Sequence, residues 1–299
     1  MNIVEEYENI LGSENVKIDE PMNRHTTFKI GGTADIFVSP DTPQHIAECI
    51  EVARKHKTPY YILGNGSNVL VKDKGFRGVI IHIGKNFDDV NIKDNIITAR
   101  SGALLSKVAK LAAGASLTGM EFASGIPGTL GGAVCMNAGA YGGEIKDICE
   151  SVMVLSGGKI KELSAEDCFF RYRGSRIMDE EMIVLEVKLK LEKGDEAQIK
   201  EKMAELNLKR NSKQPVEFPS AGSTFKRPAG YFAAALIEEC GLKGLSVGQA
   251  QVSPKHSGFI VNNGGATASD VLGLIEEVKK VVRKKTGVLL EPEIRIIGD

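Results

Sequence analysis

The 299-residue chain contains no apolar stretch near the ~20 residues needed to cross a bilayer, which excludes a membrane-spanning helix. It has no excess of one charge. Its 38 Lys and Arg against 39 Asp and Glu leave a formal net charge of −1, so no bulk positive field recruits nucleic acid and no surplus of acid suggests disorder. The five cysteines, Cys49, Cys135, Cys149, Cys168 and Cys240, are odd in number, far apart and never in a CxxC spacing. That pattern argues against a disulfide framework or a zinc site and for buried free thiols, so no metal is expected. The opening residues, MNIVEEYENILGSENV, lack the basic and apolar regions of a secretory signal, and the expected compartment is the cytoplasm. A small-molecule partner is expected, with neither nucleic acid nor membrane. What is present is length enough for two or three domains and 33 glycines. So many in a non-repetitive chain mark backbone that approaches something closely.

Organisation is mixed from the start. ADIFVSP, TPQHIAECIEVARKHK and PYYILG read as strand, helix and strand, with Ile46, Cys49, Ile50 and Ala53 on one helical face and Asp41 or Thr42 as N-cap. Further strands are predicted at 78–83, near 95–103, at 152–163 with Gly157-Gly158 as a hairpin turn, and at 182–191. A short helix is predicted from Leu104 to near Gly114. The charged stretch 192–215 reads as a helix ended by Pro215, and the domain junction is placed there. Beyond it a helix from Tyr231 to Cys240, a strand at SGFIVNN, a helix from Ser269 to about Lys285 and a strand over VLLEPEIRII are predicted; Val271, Leu274, Ile275, Val278 and Val282 share one face of the second helix. The expected division is 1–80, 81–195 and 200–299.

Two glycine-rich segments carry the first functional signal. Gly64, Asn65, Gly66, Ser67 and Asn68 follow an apolar strand and present amides and short polar side chains suited to an anion, or else form a plain tight turn. The segment is not a Rossmann fingerprint, because Val69 to Val71 continues as strand rather than opening a helix. The second segment runs from Gly119 to Ile145 with eight glycines, too many for ordinary helix or sheet. Ile126, Leu130, Val134 and Met136 are too apolar for a solvated linker, which favours a cofactor bed over a surface loop. Together the two fit a dinucleotide.

The polar residues are ambiguous by themselves. Arg171 and Arg173 share a face if extended, with Tyr172 opposite, as in a salt-bridged edge or an anion site. Glu291, Glu293 and Arg295 alternate with Leu290, Pro292 and Ile294, so they project together as a site or as a structural ion network. Pro292 confines that strand to an edge or bulge. Ser223 lies in a small-residue turn with no adjacent His to make it a nucleophile, and reads as a turn residue or a proton donor.

GNGSN at 64–68, ASGIPGTLGGAVCMNAGAYGGEI from Ala123, FRYRGSR from Phe170, SAGSTFKRP from Ser220, GLKG from Gly241 and LEPEIRIIG from Leu290 resemble the UDP-N-acetylenolpyruvoylglucosamine reductase (MurB) family. The resemblance spans nearly the whole chain, from about Asn23 to Gly298, and its several motifs fall in the family's order. It implies an α+β protein with an FAD-binding fold of the vanillyl-alcohol-oxidase (PCMH) type and a C-terminal α+β substrate-binding domain. The implied activity is NADPH-dependent, FAD-mediated reduction of UDP-N-acetylglucosamine enolpyruvate to UDP-N-acetylmuramate in peptidoglycan precursor synthesis. FAD is expected to be non-covalent, and the protein a monomer.

By motif position, Gly64, Asn65, Gly66, Ser67 and Asn68 would hold the FAD pyrophosphate. Gly125, Ile126, Pro127, Gly128, Gly131, Gly132, Asn137, Ala138 and Gly139 would line the cofactor. The same resemblance makes Arg173, Ser223 and Glu293 catalytic and leaves Glu291 structural. Tyr172 would face the substrate, and Lys213, Lys226, Arg227, Lys243 and His256 are candidate contacts to its carboxylate and diphosphate. The chain resembles the compact subclass that lacks a tyrosine-bearing loop over the substrate. Two other classes stay open: an oxidase of the same fold with FAD tethered to the chain, for which Cys135 is the one plausible attachment point, and a non-catalytic nucleotide-sugar binder.

Overall fold

A computed structural model describes residues 2–299; Met1, which opens the expected segment 1–80, lies outside the described residues. The chain divides into two compact units, each gathered from separate stretches. Unit 1 comprises Met1–Lys17, Phe37–Asn65 and Ile80–Lys209, and unit 2 comprises Ile18–Ile36, Gly66–Val79 and Arg210–Asp299. These units are not contiguous like the division 1–80, 81–195 and 200–299: 18–36 and 66–79 cluster with the C-terminal stretch. A four-stranded sheet in the order Val16–Pro21, Thr33–Val38, Phe76–His82, Tyr60–Leu63 contains three of the division points within its strands.

Unit 1 is built on a five-stranded antiparallel sheet in the order Lys159–Ser164, Cys149–Ser156, Ile183–Lys190, Ile96–Arg100, Val90–Lys93. The first two strands form the expected hairpin. Ser156 pairs with Lys159, and both turn residues, Gly157 and Gly158, have positive φ, at 56° and 75°, the backbone that a two-residue hairpin matching strand twist demands. Helices α1 (Ile3–Leu11), α2 (Pro43–Lys55), α3 (Leu105–Gly114), α4 (Leu130–Cys135) and α5 (Arg176–Asp179) belong to this unit. Thr42 caps α2 by accepting from His45 N, and Ile46, Cys49, Ile50 and Ala53 are buried along it. The sheet core buries Ile97, Val152, Val154, Val187 and Leu189 with Leu105, Val108 and Leu130 from α3 and α4. α4 is a departure: despite Gly131 and Gly132, one helical turn forms inside the glycine-rich segment because Leu130 and Val134, four apart, are both buried there.

The charged helix α6 (Glu196–Lys213) is shorter than 192–215, since Glu192–Lys193 pairs with Leu117–Thr118 as strand. Unit 2 holds a second antiparallel sheet, ordered Ser220–Ser223, Phe259–Asn262, Ala250–Val252, Ser246–Val247, with α7 (Ala233–Glu239) and α8 (Ala268–Thr286). α7 starts two residues after Tyr231, with Phe232 at its N-cap, and Gly241 at φ 73° follows its end. The predicted strand over 288–297 survives only as Arg295–Ile297, paired in parallel with Val69–Val71, plus an isolated bridge from Pro292 to Phe225. Parallel pairing with a segment so distant in sequence explains why 66–79 joins this unit.

α8 has the strongest local design. Val271, Leu274, Ile275, Val278 and Val282 are buried as predicted, Thr267 and Asp270 form a capping box, and Gly287 at φ 76° closes the C-terminus. A second carboxylate reaches the same N-terminus: Asp73 accepts from Ala268 N at 2.6 Å, Ser269 N at 2.9 Å and Ser269 Oγ at 2.5 Å. Burial pushes this carboxyl up, but the Ser269 hydroxyl and the two amides outweigh it and hold the group below the ordinary carboxylate range. Its stabilisation is therefore present above the unfolded pKa and disappears as pH falls through the depressed folded value. Asp73→Ala is expected to lower the unfolding free energy at pH 7 by about 1 kcal/mol, the usual value of a helix cap. In urea titrations the gap between variant and parent should close as the buffer is taken down through the folded pKa; a gap independent of pH would remove the carboxylate from this role.

Candidate active site

Within unit 1 the two glycine-rich segments come together. Asn65 Nδ2 donates to Pro127 O at 2.7 Å. Gly64 lies so near Thr129 that a Cβ on it would stand 2.3 Å from Thr129 Oγ1, so any side chain here would force Thr129 to shift. The chain then runs antiparallel to 101–105: Leu105 N donates to Gly128 O, Leu130 N to Ala103 O and Gly131 N to Ser101 O. A Cβ on Gly131 would fall 2.8 Å from Ser101 Cβ. Ser101 itself is 2% exposed, and its hydroxyl has no hydrogen-bond partner among the described residues. Buried hydroxyls are seldom left so. The backbone N–H of Asn65 likewise donates to no acceptor among the described residues. An orphaned hydroxyl and an uncommitted amide beside a side-chain-free backbone fit the polar edge of a dinucleotide, and this donor set suits FAD.

The same segment continues into a polar hub. Asn137, 1% exposed at φ 43°, donates from Nδ2 to Glu144 Oε2 (2.9 Å) and to Arg171 O (3.3 Å), and accepts at Oδ1 from Lys146 N (2.9 Å). Its side chain is wholly engaged with the protein. Ala138 N donates to Ala133 O, and Gly139 and Ala140 pair with Glu144 and Gly143. Glu144 is held below the ordinary carboxylate range, first by the Lys146 ammonium at 2.9 Å and the Asn137 amide, against some burial, with the Arg173 guanidinium adding to the effect.

The segment 171–173 is not extended, which corrects the shared face for Arg171 and Arg173. Arg171 N donates to Gly174 O and Gly174 N to Arg171 O, closing a tight turn in which Arg173 has φ 53°. A turn separates neighbours that a strand would align. Arg171 forms an ion pair with Asp179 at 2.5 Å, while the Arg173 guanidinium lies over the Tyr172 ring at 5.2 Å, within cation–π reach. Tyr172 is half exposed.

In unit 2, Gly222 at φ 75° bulges the strand that carries Ser223, and Ser223 pairs with Phe259. The next residues run against 291–293: Glu293 N donates to Thr224 O at 2.8 Å, Lys226 N to Glu291 O at 2.9 Å, and Phe225 faces Pro292. Pro292 thus occupies a non-hydrogen-bonded position of an antiparallel pair, where its missing donor costs nothing. Asn68 ties in through Nδ2 to Glu293 O at 3.3 Å, and its own carbonyl accepts from Arg295 N. Gly66 is pressed against His25, where a Cβ would stand 2.1 Å from the carbonyl oxygen. Ser223, Glu293 and Asn68 are therefore neighbours although far apart in sequence, and the Ser223 hydroxyl hydrogen-bonds to nothing among the described residues.

The candidate substrate contacts are dispersed across this unit. Lys226 pairs with Glu291 at 3.1 Å and Lys243 with Glu238 at 2.6 Å, all exposed. Lys213 is exposed at the end of α6. Arg227 lies 4.0 Å from the centre of the exposed Phe232 ring. His256 packs edge-on to Phe259 and accepts from Gly258 N at Nδ1, and burial holds its ring below the ordinary histidine range. Cys49, Cys149, Cys168 and Cys240 are buried and Cys135 is half-buried; burial pushes the Cys49 and Cys149 thiols up to about 12 and the Cys168 thiol up to about 11. Sequence reasoning missed Ser101, Thr129 and Glu144. Ser101 and Gly102 follow a strand as Gly64 and Asn65 do, which is the available signal; Glu144 carries none, because its significance lies in what Asn137 brings to it.

Comparison with known proteins places this geometry. Residues 34–164 match the family pattern of an FAD binding domain, and residues 214–297 that of the UDP-N-acetylenolpyruvoylglucosamine reductase C-terminal domain. The chain is 49% identical to the UDP-N-acetylenolpyruvoylglucosamine reductase of Alkaliphilus metalliredigens, with 100% of this chain and 98% of that one aligned. It is 51% identical to the enzyme of that name from Clostridioides difficile, over 97% and 96% of the two chains. The crystal structure of UDP-N-acetylenolpyruvylglucosamine reductase from Thermus caldophilus superposes with a TM-score of 0.81 at 36% identity, over 95% of this chain and 98% of that one. Phl p 4.0202, a glucose dehydrogenase, shares the fold alone, with a TM-score of 0.51 at 14% identity. Identity at this level, sustained from end to end and joined to the same fold, makes the chain a member of the UDP-N-acetylenolpyruvoylglucosamine reductase family.

Proposed function

We infer that this protein reduces UDP-N-acetylglucosamine enolpyruvate to UDP-N-acetylmuramate with NADPH, through non-covalently held FAD, in peptidoglycan precursor synthesis. The observation that carries the reading is the bond from Glu293 N to Thr224 O at 2.8 Å, which joins the chain next to Ser223 to the chain at Glu293. The Ser223 hydroxyl adjoins that ladder and is uncommitted among the described residues, as a proton donor requires.

Gly64 to Asn68 and Gly125, Ile126, Pro127, Gly128, Gly131, Gly132, Asn137, Ala138 and Gly139 are assigned to FAD, with the Ser101 hydroxyl as an added donor. When bound, FAD supplies hydride transfer from NADPH to the terminal carbon of the enolpyruvyl group. The difficulty left to the protein is the negative charge that develops on the adjacent carboxylate. Arg173, a fixed fork of donors backed by the Tyr172 ring, stabilises that charge, a contribution of about 3 kcal/mol for one well-placed donor. Ser223 gives its proton to the α-carbon. Glu293 orients the group or shares the proton. Lys213, Lys226, Arg227, Lys243 and His256 are assigned to the sugar nucleotide. The flavin role falls on 1–80 and 81–195, and the substrate role on 200–299. The working compartment is the cytoplasm, and the enzyme acts as a monomer.

No helix among the described residues is long and apolar enough to cross a membrane. A visible spectrum of the purified protein tests the reading as a whole: a band near 450 nm that bleaches with NADPH and returns with the enolpyruvyl sugar nucleotide is expected, and a protein indifferent to FAD would end it. With Ser223→Ala, bleaching by NADPH should be unchanged while return of colour slows about 100-fold or more, the usual yield of general acid catalysis; equal slowing of both phases would remove Ser223 from the acid role. With Arg173→Ala, stopped-flow should find the oxidative phase slowed about 100-fold, and an undisturbed oxidative phase would refute the assignment.

A further inference from the structure

Arg173 sits in a conformation that needs support. At φ 53° it is a non-glycine residue in the left-handed region, a strained backbone that persists only where the surroundings hold it. The turn's two internal bonds leave its orientation to whatever grips it from outside, and two grips come from the glycine-rich segment. Ser175 Oγ, wholly buried, donates to Cys135 O at 2.8 Å, and Asn137 Nδ2 donates to Arg171 O at 3.3 Å.

The second grip works only if the Asn137 amide faces the right way, and Glu144 fixes that together with the Lys146 N–H, which donates to Oδ1. A carboxylate accepts and never donates, so Glu144 Oε2 compels Nδ2 to point toward it. Both N–H groups are then committed, one to Glu144 and one to Arg171 O, and Oδ1 is left to take Lys146 N. Lys146 Nζ holds the same carboxylate oxygen at 2.9 Å, which keeps the side chain in place. Glu144 is itself anchored by the short pairing with Gly139, where a Cβ would stand 2.7 Å from Glu144 Cγ, and its amide donates to Asp147 Oδ2. The Arg173 guanidinium also acts on the Glu144 carboxylate electrostatically.

The geometry points to Glu144 as a positioning residue for the reduction: through Asn137 it holds the 171–174 turn, and its negative charge restrains the Arg173 guanidinium that the turn carries. This rests on Arg173 being the catalytic arginine. Glu144 touches neither substrate nor cofactor in this role, and its effect passes through Arg173. A glutamine at 144 keeps the shape and removes the charge, and its amide can present N–H to Asn137 as readily as oxygen.

The test is a double-mutant cycle read by stopped-flow on the flavin-loaded protein, with NADPH for the reductive phase and UDP-N-acetylglucosamine enolpyruvate for the oxidative phase. Glu144→Gln is expected to retain the flavin spectrum and the reductive rate and to slow the oxidative phase about tenfold, in keeping with the cost of misplacing a catalytic group by a fraction of an ångström. In the Arg173→Ala background the same change should have no further effect, since groups acting through one another are not additive. Slowing by the same factor in both backgrounds, or slowing of both phases together, overturns the positioning role while leaving Arg173 catalytic. An Arg173→Ala protein with an undisturbed oxidative phase overturns the arginine assignment and the positioning role with it, an outcome distinct from the other two.

Discussion

Where Gly64 passes Thr129 there is no room for one more carbon, and the flavin-binding unit depends on that closeness. A glycine that lets a neighbouring segment approach closely leaves amides and hydroxyls uncovered, and a polar ligand can then be held by the main chain itself. The bond from Asn65 to Pro127 and the run of 128–131 beside 101–105 follow from the same condition. Substituted glycines would push these strands apart and take the Ser101 hydroxyl out of the shared bed.

Unit 2 solves a different problem with the opposite material. Its strands are knit by long-range bonds that bring 66–68, 223–226 and 291–295 side by side. Pro292 within this seam looks unsuited to a sheet, yet it occupies the one kind of position where no donor is required. Glu291 and Glu293 on either side of it have different surroundings: the first pairs with an exposed lysine, while the second sits at the junction of three chain segments and is half-buried. Similar residues two apart thereby acquire different chemistry.

How much was legible beforehand varied with the range of the forces involved. α8, α2 and the Gly157-Gly158 hairpin could be read because each is specified by periodicity, capping and turn residues lying within a few positions of one another. The end of the chain was misread as a continuous strand, because alternation over Leu290 to Ile294 is indistinguishable from a ladder until the partners are known, and only Arg295–Ile297 finds a regular one. The turn at Tyr172 and Arg173 was hidden for a related reason: it is held by Asn137 and Ser175 reaching to and from a segment well upstream, and nothing in FRYRGSR itself encodes a left-handed arginine. The site motifs stood out in the sequence by kinship, but the unpaired hydroxyl of Ser101 and the reach of Glu144 exist only in three dimensions.

The interleaving of the two units has a consequence for how the protein comes to be. Val69 to Val71 emerges from the ribosome early, but its parallel partner Arg295–Ile297 is separated from it by most of the polypeptide. At ordinary elongation rates the wait is on the order of ten seconds or more. Throughout that interval the strand lacks its parallel partner and the neighbouring Asp73 lacks the helix N-terminus it caps. Biosynthesis therefore passes through a nascent species with an unsatisfied apolar edge, the kind of surface that trigger-type chaperones shield.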